Sequence, residues 1–168
     1  MMLEVAVEND GEWDSKSGWE ALARKAAQAA IAQSAFPQLG SSPRQVELSV
    51  RLSGDEEVRS LNAHWRGKDK PTNVLSFPLA EQYELEQGDE EGPELMLGDI
   101  VLAHGVCERE AAQKKVSVED HAAHLIVHGT LHLLGYDHQD DCAADDMEAR
   151  EVRALEQLGI ADPYMIAD

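Results

Sequence analysis

Basic residues are scarce in this sequence. Only 14 lysines and arginines stand against 33 aspartates and glutamates, which gives a formal net charge of −19 at pH 7. Indiscriminate binding to nucleic acid depends on many cationic side chains, so this balance argues against it. Cysteine is scarce as well, because Cys107 and Cys142 are the only two and form no CxxC pair. This usage favours a reducing compartment, and we expect a cytoplasmic protein.

Long apolar runs are absent too. No stretch approaches the roughly 18 apolar residues that cross a membrane. Residues 1–10 have no basic segment followed by an apolar run, so we expect no signal peptide and no membrane partner. With 168 residues, 43% of them hydrophobic, the chain is long enough for a full core, and we predict one globular domain over residues 1–168.

Hydrophobic periodicity predicts four strands and about five helices. The strands are expected at residues 3–7, 46–52, 73–77 and 95–103. The helices are expected at residues 19–33, 55–65, 107–115, 118–134 and 143–158, with Ser53 and Glu56 as a capping box for the second. Residues 81–94 hold seven acids and no base, which predicts a solvated loop. The order of elements favours an α/β or α+β fold, in which helices cover a mixed four-stranded sheet.

The most informative motif is H-x-x-x-H-x-x-G-x-x-H, formed by His128, His132, Gly135 and His138. Two histidines four residues apart lie on one face of a helix, so their imidazoles can share a metal ion. Gly135 permits a left-handed turn that ends the helix and can bring His138 back as a third ligand. Three histidines leave one position of a tetrahedral zinc open, which is typical of a catalytic site. We therefore predict a metal site on the central helix.

The spacing matches the three-histidine part of the metzincin protease motif, but the glutamate that serves as general base there is replaced by Gly129. The sequence thus predicts a metal-dependent hydrolase of another kind.

Three nearby residues have open roles. His121 and His124 lie on the same helical face as His128, and we interpret them as residues that support the ligands or pack the helix rather than as direct ligands. Cys142 follows His138 by four residues. As a fourth ligand it would close the site and make it structural.

Two long blocks resemble the YbeY family of bacterial endoribonucleases. One is the histidine motif, HGTLHLLGYDH from His128 to His138, and the other is RGKDKPTNVLSFP from Arg66 to Pro78. Shorter support comes from LGDI at residues 97–100 and DPY at residues 162–164. The resemblance covers about residues 44–165.

The resemblance implies a zinc-dependent endoribonuclease that acts on single-stranded RNA in ribosomal RNA maturation and ribosome quality control. Its expected cofactor is one Zn²⁺ per chain on His128, His132 and His138. Its partners would be a ribosomal RNA precursor and ribosomal subunits or assembly proteins. It also implies a functional arginine at the position of Arg66.

The residues around Arg66 form the strongest basic island of the chain. Arg66 can neutralise a phosphate with its planar, two-pronged guanidinium, whereas the alternative is a surface arginine at the end of a helix. Lys68 and Lys70 are weaker candidates for binding an RNA backbone. Asp137 can orient a ligand or lie exposed in a turn, and Asp99, in an apolar strand, is expected to pair with a partner.

Three function classes remain open. We favour a zinc endoribonuclease in which zinc-activated water and Arg66 act on an RNA phosphodiester. A second class is a zinc hydrolase of another bond, such as an amide, with a base that the sequence does not identify. A third is a non-catalytic ribosome-assembly factor whose zinc only stabilises the fold.

The absent glutamate leads to a first prediction. The protein should have negligible protease activity, because Gly129 offers no base where metzincins place one. Incubation of the purified, zinc-loaded protein with casein checks this, and robust cleavage that a chelator abolishes would overturn it.

Overall fold

The computed structural model describes residues 3–11, 13–14, 18–88, 90–137 and 139–164. Within these residues the chain forms an α+β fold of four strands and six α-helices. The strands are β1 (Leu3–Asn9), β2 (Val46–Ser53), β3 (Val74–Pro78) and β4 (Leu95–Ala103). The helices are α1 (Trp19–Ala32), α2 (Asp55–Arg66), α3 (Gln82–Glu86), α4 (His104–Lys114), α5 (Val118–Leu133) and α6 (Asp141–Gln157), and a 3-10 helix spans Pro37–Ser41. The predicted fold class is confirmed.

The sheet has the order β1-β2-β4-β3 and is mixed. β1 and β4 run parallel to β2, whereas β3 runs antiparallel to β4 at the edge of the sheet. The alternation of apolar and polar residues in β2 buries one face of the strand, as predicted. The buried residues on this face are Val46, Leu48, Val50 and Leu52. The edge position of β3 suits a strand that ends in Pro78, since proline cannot donate to a further strand.

Helix α5 is the central helix of the fold. It contacts β3 and β4 of the sheet on one side and α1, α4 and α6 on the others. Eleven of its residues are buried, and the main hydrophobic core forms around it. Helix α2 covers part of the opposite sheet face through a smaller core of Val58, Leu75, Val101 and Ala103.

Gly129 allows α5 to lie very close to the sheet. A β-carbon at this position would sit 3.0 Å from Ile100 Cγ2 and 3.2 Å from Ser76 Oγ. Ile100 is fully buried, so a shift of its side chain would disturb the packed core around it. Ser76 on β3 pairs with Ile100 on β4. Helix α5 therefore crosses the β3–β4 ladder at Gly129.

Two local predictions were wrong. Residues 81–94 are not all loop, because they contain α3, where the side chains of Glu81 and Glu84 form a capping box and Leu85 is buried in the core. Ser53 does not cap α2. It is the last residue of β2 and its hydroxyl is buried, whereas Gly54 occupies the cap position without a side-chain hydrogen bond. Helix α4 also begins at His104, earlier than predicted.

The two cysteines are both free thiols. Cys107 is buried and Cys142 is exposed. Burial raises the pKa of the Cys107 thiol to about 12, so it stays protonated at neutral pH. No helix in the described ranges has the length and apolar character needed to cross a membrane.

The close approach at Gly129 gives a second prediction. Alanine has a higher helix propensity than glycine by about 1 kcal/mol, but the clash with Ile100 should outweigh this gain and lower the free energy of unfolding by about 1–3 kcal/mol. Urea denaturation of Gly129→Ala measures the effect.

Ile100→Ala provides the matched background, because it removes the atoms that the new methyl group meets. In that background Gly129→Ala should no longer destabilise the protein. A Gly129→Ala protein as stable as wild type would show that the sheet yields to the methyl group.

Candidate functional site

A cleft of about 600 Å³ opens between α5 and the chain segment that runs from the end of α2 into β3. The α5 side contributes two of the predicted ligands, and the α2–β3 side contributes all three predicted cations. The lining residues that carry functional groups are Asn62, Arg66, Lys68, Lys70, Thr72, Asn73, Ser76, His128, His132, Tyr136 and Asp137. The fold thus brings together five of the six residues predicted for the site. His138 lies outside the described residues, and its role as a ligand stays a prediction.

The end of α5 orients His132. Gly135 has a φ of 98°, and the helix ends with hydrogen bonds from Gly135 N to His132 O and from Tyr136 N to Leu131 O. This is a Schellman motif, in which a left-handed glycine reverses the chain. The reversal places the Tyr136 carbonyl oxygen 2.8 Å from His132 Nδ1. The predicted turn therefore also supplies a hydrogen-bond acceptor for the histidine that precedes it.

A buried carboxylate orients His128. Its Nδ1 lies 3.3 Å from Oε1 of Glu151, which is on α6 and is fully buried. The same oxygen accepts hydrogen bonds from His124 Nε2 and from the Tyr164 hydroxyl, each at 2.8 Å. Burial acts to raise the pKa of Glu151, but the hydrogen bonds from His124 and His128 outweigh it and hold the pKa at about 2.

The two ring contacts fix the tautomers of His128 and His132. A carboxylate and a carbonyl only accept hydrogen bonds, so Nδ1 of each ring is the donor in these contacts, and in a neutral ring Nε2 then carries the lone pair. The two Nε2 atoms face each other at 3.0 Å, close to the roughly 3.3 Å that separates two nitrogens on one tetrahedral zinc ion. Two imidazole nitrogens this close together could both bind one cation, so the pair fits a metal ion.

The neighbouring candidates occupy different places. Among the described residues, no set of three or more His, Cys, Asp or Glu side chains is arranged to hold a metal ion, so Cys142 does not join His128 and His132 in such a set. His124 contacts Glu151 and thereby supports His128. His121 instead contacts Glu110 at 2.8 Å, and burial lowers its pKa despite that contact.

The opposite wall presents Arg66. It is the last residue of α2, which ends because Gly67 takes up a left-handed conformation with a φ of 67°. Its Nη2 atom donates to the Ser76 carbonyl at 3.0 Å. Ser76 in turn lies against Gly129, the residue next to His128. The guanidinium is therefore tied to the strand that α5 contacts most closely, although the side chain itself is exposed.

Asn62 and Arg59 hold the loop that carries the two lysines. The buried Asn62 amide donates to the Lys70 carbonyl at 2.8 Å. Arg59 donates to both carboxylate oxygens of Asp69, at 2.8 and 3.3 Å, and lowers the pKa of that group. Arg59 thus neutralises the one acid of the loop. Within the described parts of the chain, no salt bridge engages Arg66, Lys68 or Lys70.

The structure also explains the absent glutamate. A side chain at position 129 would meet Ile100 and Ser76 in the sheet at once. Asp99 faces away from the cleft, where its Oδ1 atom accepts a hydrogen bond from the Ser49 hydroxyl. Asp137 lines the cleft.

Sequence reasoning missed Glu151 and Asn62. Glu151 is one of many acids in an acidic, amphipathic helix, and only its complete burial distinguishes it. The available signal was its spacing on α6, which puts it on the same face as the buried Met147, Ala154 and Leu155. A charged residue on an apolar face indicates a paired group.

Comparison with known proteins identifies the family. The family described as endoribonuclease YbeY matches residues 7–159. This chain belongs to the YbeY family. Curated YbeY endoribonucleases from Rhizorhabdus wittichii and Sphingopyxis alaskensis are 49% and 50% identical to it, and each alignment covers 99% of the chain and 99% or more of the relative.

A solution structure of a Thermotoga maritima protein supports the fold alone. It aligns with 98% of this chain and 100% of its own length, with a TM-score of 0.52 and 22% sequence identity. The family model and the curated relatives confirm the resemblance that the two long motif blocks indicated.

Proposed function

We propose that this protein is a zinc-dependent endoribonuclease that cleaves single-stranded ribosomal RNA precursors in the cytoplasm. The observation that carries the proposal is the cleft, in which two neighbouring imidazoles and three cationic side chains line the same space. Membership of the YbeY family supports the same reaction class. Roles in ribosome quality control and contacts with ribosomal subunits or assembly proteins belong to the proposal as well.

His128 and His132 would hold the zinc ion, with His138 as the third ligand. When bound, zinc lowers the pKa of water and polarises a phosphoryl oxygen. The Tyr136 carbonyl and the Glu151 carboxylate keep the two imidazoles in the tautomer that binds a cation.

Arg66 would bind the phosphate that reacts. A phosphodiester gains negative charge on its equatorial oxygens during cleavage, and a guanidinium donates two parallel hydrogen bonds to such oxygens. The Ser76 carbonyl holds the guanidinium by one hydrogen bond at the cleft wall. Lys68 and Lys70 would bind the backbone on either side, because they lie on the same wall.

Substrate charge separates this proposal from a hydrolase of a neutral bond. The chain carries a net charge of −19, yet Arg66, Lys68 and Lys70 line one wall of this cleft, and Asp137 is the single acid among its described lining residues. A neutral amide gains little from such a wall, whereas a phosphodiester is attracted to it. The surrounding acidic surface would repel RNA placed elsewhere, so we expect binding to weaken as salt rises, with a shallow slope.

A third prediction concerns the metal. Purified protein should contain one zinc ion per chain, and His132→Ala should lose it because an imidazole ligand is removed. Elemental analysis together with circular dichroism checks both the metal and the fold. A folded His132→Ala protein that still holds one zinc ion would show that the metal lies elsewhere.

The same variant tests catalysis. RNA cleavage that a chelator stops and zinc restores supports a catalytic metal, and His132→Ala should then be inactive. Zinc binding without any RNA cleavage would favour an assembly factor with a structural metal. Cleavage of small amides without cleavage of RNA would favour the other hydrolase.

A fourth prediction concerns Arg66. Arg66→Ala should raise the barrier to RNA cleavage by about 3 kcal/mol, as for the loss of a donor that stabilises transition-state charge, while zinc stays bound. Lys68→Ala should raise KM more than it lowers kcat, because it positions the substrate.

Arg24→Ala is the matched control for charge, since Arg24 is an exposed arginine on α1 that does not line the cleft. Steady-state kinetics on single-stranded RNA distinguish the three variants. A normal rate for Arg66→Ala with zinc in place would remove Arg66 from the mechanism.

A further inference from the structure

Glu151 is fully buried behind the cleft and does not line it. Its carboxylate contacts His128, which does line the cleft. Its Oε1 atom receives three side chains from different parts of the chain: His128 and His124 on α5, and Tyr164 beyond α6. Its Oε2 atom is buried and has no hydrogen-bond partner among the described residues. No described lysine or arginine forms a salt bridge with it.

Tyr164 links this carboxylate to the segment that follows α6. Asp162 accepts a hydrogen bond from the Tyr164 backbone N–H at 2.8 Å, which forms a turn. The turn places the phenol ring edge-on against His124, with the ring centroids 5.5 Å apart. The phenol remains protonated, because burial and the Glu151 charge raise the pKa of Tyr164, and it therefore donates to Glu151.

A contact at Nδ1 sets two properties of His128. It selects the tautomer whose Nε2 lone pair faces His132, and it limits rotation of the ring about its bond to the backbone. A carboxylate in this position also raises the basicity of the imidazole toward a cation. The geometry is specific to His128, since His132 obtains the same tautomer from the Tyr136 carbonyl.

We propose that Glu151 is a positioning residue that orients His128 for zinc binding, and that Tyr164 and His124 hold its carboxylate in place. The proposal rests on the zinc site of the proposed function. It gives the DPY segment at residues 162–164 a role, because the chain beyond α6 would support a ligand that lies in the cleft.

The chain provides a matched control for this arrangement. Glu110 and His121 form a second carboxylate–imidazole contact near the start of the same helix, at 2.8 Å, the length of the His124–Glu151 contact. Glu110 accepts a further hydrogen bond from Asn73 but has no described contact with His128 or His132. Removing either carboxylate should therefore lower the stability of the protein. Only the removal of the Glu151 carboxylate should lower its affinity for zinc.

The experiment compares Glu151→Gln with Glu110→Gln. Zinc affinity is measured by competition with a chromophoric chelator, and the ligand geometry is measured from the absorption spectrum of the Co²⁺-substituted protein. Glu151→Gln should bind zinc about 10–100-fold more weakly, as is typical when the hydrogen-bond partner of a ligand is altered, and should change the Co²⁺ spectrum. Glu110→Gln should change neither. Equal zinc affinity in all three proteins, or equal losses in the two variants, would overturn the proposal.

A second variant covers the case in which Glu151→Gln does not fold. Tyr164→Phe removes only the hydroxyl from a residue that is 42% exposed. It should weaken zinc binding less than Glu151→Gln does, with little change in melting temperature. Unchanged zinc affinity in a folded Tyr164→Phe protein would show that the chain beyond α6 does not support the ligand.

These measurements need no RNA, so the two proposals can fail separately. A wild-type protein that binds no zinc would remove the basis of both. A wild-type protein that binds zinc but does not cleave RNA would overturn the proposed function alone, while the effect of Glu151→Gln on zinc affinity would still decide the role of Glu151.

Discussion

The close approach of α5 to the sheet at Gly129 determines the geometry of the site. A β-carbon at Gly129 would approach the side chains of Ile100 and Ser76 to 3.0–3.2 Å, closer than most side-chain contacts. Because Ser76 also accepts the hydrogen bond from Arg66, the same strand that meets α5 holds the opposite wall of the cleft. His128, which precedes Gly129 on α5, lines the same cleft as that strand. A wider helix–sheet spacing would separate the imidazole pair from the cations.

Charge is distributed to favour this one cleft. The chain as a whole is strongly acidic, and residues 81–94 and the start of α6 carry much of the excess. In the loop after α2, however, Arg59 engages Asp69, so the charges of Arg66 and the two lysines are not cancelled locally. An anion that approaches the protein is repelled by most of the surface and attracted at the cleft. The difference in charge between the cleft and the rest of the surface therefore favours the binding of an anion in the cleft.

Much of the fold followed from local patterns. The strict alternation of β2 and the apolar periodicity of α5 each reflect the repeat of a single element, and the structure agrees with both. The errors arose where two local signals competed. Ser53 resembles a helix cap, but the strand pairing of β2 extends through it. Leu85 lies in an acidic stretch, yet its burial and the Glu81 capping box stabilise a short helix there.

For the candidate site, the sequence by itself determined the parts that are close together along the chain. The spacing of His128, His132 and Gly135 fixes two neighbouring imidazoles and a turn, because helix geometry relates residues only three to seven positions apart. The motif around Arg66 identified the cations in the same way. Only the tertiary structure decided which surface these cations face and which carboxylate supports His128. Glu151 is 23 positions from His128, and its selection among many acids depends on the packing of α6 against α5, which no local repeat encodes.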